Sequence, residues 1–196
     1  MAQNNDFYDN YFSYGIDPRR RRIFLNEDIA DSSISRLIQS LYVMKDEITD
    51  KPIEIILSSF GGCEYEMFAA YDVIRSLSSV QVRIIAVGKV MSAAPLILAA
   101  GDERLCYPTT QFMIHESWYQ LEERHNASKA TVKHYEDMTQ LWGEKMSECT
   151  NLSKKQWLNL TERTGRDKYF DAKQALKWGL VDGILMPAGH IDKGEE

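Results

Sequence analysis

The sequence predicts an α/β protein with a layered, largely parallel β-sheet, and three observations carry that prediction. Short β-branched runs, IFL at 23–25, IEIIL at 53–57 and VRIIAV at 82–87, alternate with segments whose apolar residues recur at helical spacing. The runs at 53–57 and 82–87 are almost continuously apolar, as expected of strands buried on both faces. Glycines follow those two strands directly, in SSFGG at 58–62 and GKVMS at 88–92, so the chain turns sharply where strand gives way to helix.

Each element has its own signal. Residues 1–18 are polar and aromatic without period and predict a flexible N-terminal arm, followed by one domain over 19–186 and a charged tail over 187–196. From Asp31, the positions Ile34, Leu37, Ile38, Leu41 and Met44 form one helical stripe behind a Ser/Asp cap. Met67, Ala70, Tyr71, Ile74 and Leu77 form a second stripe. The stretch GKVMSAAPLILAAG at 88–101 reads as a third helix, with RLCY at 104–107 and QFMIH at 111–115 as strands. Val132, Tyr135, Met138, Trp142 and Cys149 predict a long helix that protrudes from the layers. Ser153 caps a helix carrying Trp157 and Leu160, Asp171 caps another that closes at Gly179, and LVDGIL at 180–185 ends the sheet.

Composition narrows the function. At 196 residues and 44% hydrophobic the chain suits one large domain. With 23 basic against 29 acidic side chains, the net charge of −6 argues against general binding to nucleic acid or anionic membrane. The dense basic run Arg19–Arg22 reads as solvated surface, and the longest apolar run, about 12 residues, is short of the roughly 20 that cross a bilayer. Cys63, Cys106 and Cys149 are widely spaced without a C-x-x-C pair, and read as buried small hydrophobes in a reducing compartment. The start, MAQNNDFYDN, has neither the cations nor the apolar core of a secretory signal, so a cytoplasmic location is expected.

Candidate chemistry gathers at three strand ends, where ligands collect in α/β folds. Gly61 and Gly62 permit positive φ and leave backbone N–H groups uncovered, as an oxyanion site needs, although a glycine pair is more often only a turn. Ser92 is an isolated hydroxyl in an apolar run, where an unpaired one costs about 1–3 kcal/mol. Pro95 marks a helix start, which puts Ser92 near the N-cap; a plain capping serine is the simpler explanation. His115 closes an apolar strand, unlike His125, His134 and His190. A nucleophilic serine needs an imidazole to take its proton and a carboxylate to orient the ring. Asp102, Glu116, Asp167, Asp171 and Asp182 are the available acids, and periodicity does not choose among them.

Five blocks in order, IFLNEDI, IILSSFGG, GKVMSAAPLILAAG, FMIHE and GRDKYFDAKQALKWGLVDGIL, resemble the Clp protease proteolytic subunit (ClpP) family from about Arg22 to Leu185. The resemblance implies a ClpP/crotonase-like fold, a layered β-sheet of repeated β-β-α/βα units. It implies a serine endopeptidase with Ser92 as nucleophile, His115 as general base, Asp167 as orienting carboxylate, and the backbone N–H groups of Gly62 and Ala93 as the oxyanion hole. It also implies a self-assembled tetradecamer of two stacked heptameric rings, fed with unfolded proteins by an AAA+ Clp ATPase. The protease itself would need no cofactor or metal, ATP being used only by the partner. Phe60 stands where the family pattern has proline, Ala94 where it has glycine, and ESWYQLEERHNASKA at 116–130 lacks the usual glycines and proline. The divergent pattern keeps three alternatives open: a crotonase-like acyl-CoA enzyme, a catalytically weak or inactive structural ring subunit, and a phage head-maturation protease.

Overall fold

The structure, a computed structural model, describes residues 11, 13–47, 49–116, 127–162 and 167–194. The expected flexible arm falls largely on residues 1–10 and 12, and most of the divergent segment after His115 on 117–126, outside the described residues.

Strands and helices alternate as the apolar periodicities predict. Strands β1 (Ile16–Asp17) and β2 (Arg22–Leu25) lead into helix α1 (Asp31–Lys45), then β3 (Ile53–Ser59), α2 (Glu64–Ser76), β4 (Val82–Met91), α3 (Ala94–Ala99), β5 (Glu103–Cys106) and β6 (Gln111–Ile114). Helices α4 (Ala127–Cys149) and α5 (Lys154–Glu162) follow, then β7 (Lys168–Phe170), α6 (Ala172–Lys177), β8 (Gly183–Leu185) and β9 (Ile191–Asp192). The main path runs β1-β2-β3-β4-β5-β8-β9, with β6 branching from β4 and β7 pairing β6. Pairings β2–β3, β3–β4, β4–β5, β4–β6 and β5–β8 are parallel, and β1–β2, β6–β7 and β8–β9 antiparallel. The last arm residues and two residues of the expected tail thus form edge strands, β1 and β9.

One irregularity shapes the rest. Leu57 pairs with Ala86 but Ser59 with Val90, so β4 carries two extra residues around Gly88, whose φ is +69°. Such a bulge bends and twists a strand. Past the bend, Lys89–Met91 pair with Gln111–Met113 of β6, so β4 passes from a main leaf into a smaller one of β4, β6 and β7.

Helices α1 and α2 bury their predicted stripes: Ile34, Leu37, Leu41, Met67, Ala70 and Ile74 are all core residues. The β3 strand is not buried on both faces. Ile53, Ile55 and Leu57 are buried, whereas Glu54, Ile56 and Ser58 lie on a half-covered face. Glu54 there pairs with Arg22 and Arg83, and Arg83 with Glu103, so charge partners rather than helices accompany that face. The basic run is not simply solvated either: Arg21 is buried, donating to the Met44 carbonyl and pairing with Glu47 at the end of α1. Among the cysteines Cys106 alone is buried; Cys63 is exposed and Cys149 half-buried. The capping of α1 also differs: Ala30 is the N-cap, and Ser33 Oγ accepts from its backbone N–H. The Asp171 cap on α6 and the left-handed Gly179 after it are as expected.

In α4, Lys129, Lys133, His134, Glu136 and Asp137 are exposed, and Met138 and Met146 are buried where the helix meets α3 and α5. An aromatic chain then ties these layers together. Trp142 meets Trp157 at 6.0 Å between centroids, Trp157 meets Trp178 at 5.6 Å, Trp178 meets Phe170 at 4.7 Å and Phe170 stacks on Phe112 at 5.3 Å. Each such pair adds about 0.5–1.5 kcal/mol beyond area burial. The smaller leaf is thereby pinned through β6 and β7 to α4, α5 and α6.

Candidate active site

The strand at 82–91 is longer than its sequence suggests and the following helix shorter, and this decides where Ser92 lies. The residues Gly88–Met91 continue β4, and α3 begins only at Ala94, with Ala93 as its N-cap. Ser92 therefore does not cap the helix. It occupies the turn between strand and helix with φ +58°, a left-handed conformation costing a non-glycine residue on the order of 1–3 kcal/mol. Its N–H donates to the Met113 carbonyl at 2.8 Å, extending the β4–β6 ladder by one step and holding the strained turn against β6.

His115 follows Met113 by two residues, directly after the last residue of β6. Its Nε2 lies 2.6 Å from Ser92 Oγ. The hydroxyl singled out in an apolar run thus has a partner, and that partner is a base. A strained strand-to-helix turn that thrusts a serine toward an imidazole is the local geometry of an activated nucleophile.

The glycine pair is more than a turn. Gly61 and Gly62 have φ of +103° and +149°. A Cβ on Gly61 would stand 2.5 Å from Ser92 Cβ and 2.9 Å from Ala93 N, and one on Gly62 would stand 2.2 Å from the Ile29 carbonyl oxygen. Only glycine fits at either position. The loop is fastened to Ile29, whose N–H donates to Gly61 O at 2.8 Å and whose carbonyl accepts from Cys63 N at 2.8 Å. Those bonds use the groups on either side of Gly62 N–H. Neither that amide nor Ala93 N–H donates to another group among the described residues. Two open amides beside a nucleophile are what stabilisation of a developing oxyanion requires.

A cleft of about 240 Å³ opens beside these groups. Gly62, Ser92, Ala93 and His115 line it on one side, Glu64 and Met67 of α2 and Thr139 and Trp142 of α4 form its walls, and Thr161 of α5 completes it. Sequence periodicity identified Met67 and Trp142 as apolar-face residues and gave no sign that they border a cleft. Their meeting depends on how α2 and α4 pack.

The acid is the group that residue patterning left open and that the resemblance alone assigned, to Asp167. Asp102 accepts from Val82 N, Asp182 from Arg104 N and side chain, and Asp171 from Gln174 N, each backbone contact at 2.8 Å, so three of the five acids have structural duties. Glu116 and Asp167 remain. In the antiparallel β6–β7 ladder Phe112 pairs with Phe170, Met113 with Tyr169 and Ile114 with Lys168. The next step of that register sets His115 opposite Asp167, and directly opposed residues hold their Cβ atoms about 4.5–5.5 Å apart. No hydrogen bond joins the two side chains, however. Asp167 is exposed, and its Oδ2 accepts from the Tyr169 hydroxyl at 3.3 Å. The structure thus brings Ser92, His115, Gly62 and Ala93 together and leaves Asp167 one strand position across, turned to another donor.

Of the other histidines, His134 lies on the exposed half of α4 bonded to the Tyr65 hydroxyl at 2.8 Å, His190 is exposed, and His125 falls outside the described residues. No group of three or more potential metal ligands occurs among the described residues, and no described helix is long and apolar enough to cross a membrane.

The family model described as Clp protease matches residues 7–188. The chain is 30% identical over 169 residues to an ATP-dependent Clp protease proteolytic subunit of Carsonella ruddii (strain PV), covering 85% of this chain and 84% of that protein. It is 31% identical over 170 residues to ATP-dependent Clp protease proteolytic subunit 1 of Tropheryma whipplei (strain Twist), covering 85% and 80%. It is 29% identical over 168 residues to proteolytic subunit 1 of Corynebacterium diphtheriae (strain ATCC 700971 / NCTC 13129 / Biotype gravis), covering 84% and 78%.

Proposed function

From the premise that this chain belongs to the Clp protease family, we propose that it is a serine endopeptidase subunit that hydrolyses peptide bonds of unfolded proteins inside a ring-shaped chamber. The observation that carries this reading is the 2.6 Å contact between Ser92 Oγ and His115 Nε2 beside the open amides of Gly62 and Ala93.

Chemically, His115 takes the Ser92 proton as Oγ attacks the scissile carbonyl carbon. The carbonyl oxygen becomes an oxyanion held by the Gly62 and Ala93 N–H groups; removing one such donor typically costs on the order of 10²–10³ in kcat. The imidazolium then gives its proton to the leaving amine, and the peptide C–N bond breaks. Water, deprotonated by the same histidine, attacks the acyl-enzyme and frees Ser92. Asp167 serves this cycle once its carboxylate turns to His115 Nδ1, fixing the tautomer and stabilising the imidazolium. None of these steps draws on a cofactor or metal.

The same reading includes assembly into two stacked rings, usually of seven subunits in this family, and supply of substrate by a partner AAA+ Clp ATPase in the cytoplasm. One observation favours a second reading, a catalytically weak ring subunit: Asp167 is bonded to Tyr169 and not to His115.

A fluorophosphonate probe tests both. Wild-type protein is expected to label at Ser92 and to cleave an unfolded substrate, and Ser92→Ala to lose both. Assembled wild-type rings that neither label nor cleave would establish the structural subunit instead, and a monomeric or trimeric particle by native mass measurement would count against a chamber.

A further inference from the structure

Asp167 stands opposite His115 in strand register and yet bonds elsewhere, and the group it bonds to is specific. Tyr169 lies two residues along β7, on the same strand face as Asp167 because side chains alternate along a strand. It pairs with Met113, the residue two before His115, so Tyr169 and Asp167 border the face that presents the histidine. The Tyr169 ring is exposed, while Phe170 beside it is buried between Phe112 and Trp178. The strand is therefore anchored by Phe170, and the Tyr169 hydroxyl contributes no packing. Among the described residues its hydrogen bond goes to Asp167 Oδ2 alone.

A carboxylate has two oxygens and about four acceptor sites. With Tyr169 on Oδ2, Asp167 Oδ1 accepts from no donor among the described residues, and His115 Nδ1 likewise has no partner among them. These are the two atoms that a Ser-His-Asp relay must join. At 3.3 Å the tyrosine contact is longer than the usual O–H···O range of about 2.5–3.0 Å, so it restrains the carboxylate's rotation about Cβ weakly and without sequestering it. An exposed side chain at the last residue before a three-residue strand would otherwise sample several rotamers.

We propose that Tyr169 is a positioning residue for catalysis: its hydroxyl tethers one oxygen of Asp167 so that the other is presented across the β6–β7 ladder to His115 Nδ1. The inference rests on the reading of Ser92 and His115 as nucleophile and base. It gives Tyr169 no contact with substrate. Its effect runs through the orientation of the imidazolium and falls on kcat, leaving KM alone.

The test is a double-mutant cycle on the assembled protein, with kcat and KM for peptide hydrolysis measured for wild type, Tyr169→Phe, Asp167→Asn and the double variant. Tyr169→Phe keeps the ring and removes only the hydroxyl. It is expected to lower kcat about tenfold, as loss of orientation at a reacting group does, with KM within about twofold and the melting temperature unchanged. The double variant is expected to match Asp167→Asn alone, because an amide does not stabilise the imidazolium however the tyrosine holds it. Wild-type or raised kcat in Tyr169→Phe, a further loss in the double variant, or a lowered melting temperature would overturn the proposal. Fluorophosphonate labelling of the wild type separates the two levels: a wild type that labels and cleaves while the cycle is additive overturns the tether alone. A wild type that does neither overturns the tether together with the assignment it rests on.

Discussion

The two sides of the candidate site are built differently. On the Ser92 side, Ser92, Gly61 and Ile29 are packed so closely that no Cβ fits at either glycine, and three backbone bonds, Ile29 to Gly61, Cys63 to Ile29 and Ser92 to Met113, are each 2.8 Å. On the other side, Asp167 directly precedes a three-residue strand and, among the described residues, is held by a single 3.3 Å contact. The first side is preorganised, so it spends nothing on rearrangement when charge develops at the oxyanion. The second is adjustable. The difference teaches that Ser92, His115 and the two open amides are held by backbone geometry, whereas Asp167, proposed as their acid, is held by a side-chain contact.

Three substitutions or modifications probe that contrast. The largest effect is expected on the rigid side. Gly61→Ala would drive a methyl group into Ser92 Cβ at a backbone conformation that alanine resists. A displacement of about 1 Å at the nucleophile costs on the order of 10²-fold in rate. Peptide hydrolysis and fluorophosphonate labelling are expected to fall by at least that much; near-wild-type labelling would mean that the loop yields more easily than its contacts imply.

A smaller effect on activity, with a larger one on stability, is expected from Phe170→Ala. Phe170 is the link between β7 and the aromatic chain, and truncating a buried phenylalanine costs about 3–5 kcal/mol. A lowered denaturant midpoint should accompany a partial loss of kcat, since the strand carrying Asp167 loosens while Ser92 and His115 keep their ladder contact. Loss of fluorophosphonate labelling in folded Phe170→Ala would show that the two sides are not separable.

The mildest probe is thiol alkylation. Cys63, directly after the glycine pair, is exposed and should react at neutral pH, whereas burial pushes the Cys106 thiol up to about 12 and should leave it unreactive. Mass spectrometry of the alkylated Gly61→Ala protein then tells local distortion, with Cys106 still protected, from unfolding, with both labelled. The same burial links Cys106 to stability. An unfolded thiol ionises near 8.5, so the contribution of keeping it neutral is complete below that pH. It is lost progressively as pH rises toward about 12. Tyr71 adds in the same direction, its hydroxyl raised by burial and by the Cys149 contact.

Much of this was legible before any coordinates. Apolar periodicity gave α1 and α2 to within a few residues, because a stripe at 3.6 spacing has only one way to be buried. Strand-end logic reached Ser92, His115 and the glycine pair, since chemistry gathers where buried strands stop. Patterning misjudged Gly88–Met91 as helix: GKVMSAAPLILAAG is almost wholly apolar, and a strand that runs into a buried helix leaves little break in hydrophobicity. It missed β7 and the edge strands β1 and β9, which are two or three residues long and too short to carry a period. It also took β3 as buried on both faces, because Ile56 is apolar although its strand face is half covered.

What the sequence determined by itself was the alternation of elements and the residue types at the junctions, both of which follow from local preferences and from which residues avoid water. Residue patterning chose no acid, because Asp102, Asp171 and Asp182 differ from Asp167 only in what they meet in space; Asp167 came from the resemblance alone. Tertiary structure narrows the set to Glu116 and Asp167: a bulge at Gly88 sends β4 into a second leaf whose register, continued one step, faces His115 with Asp167, and backbone donors claim the other three aspartates. Such pairings join residues tens of positions apart, and only the closing of the sheet brings them within reach.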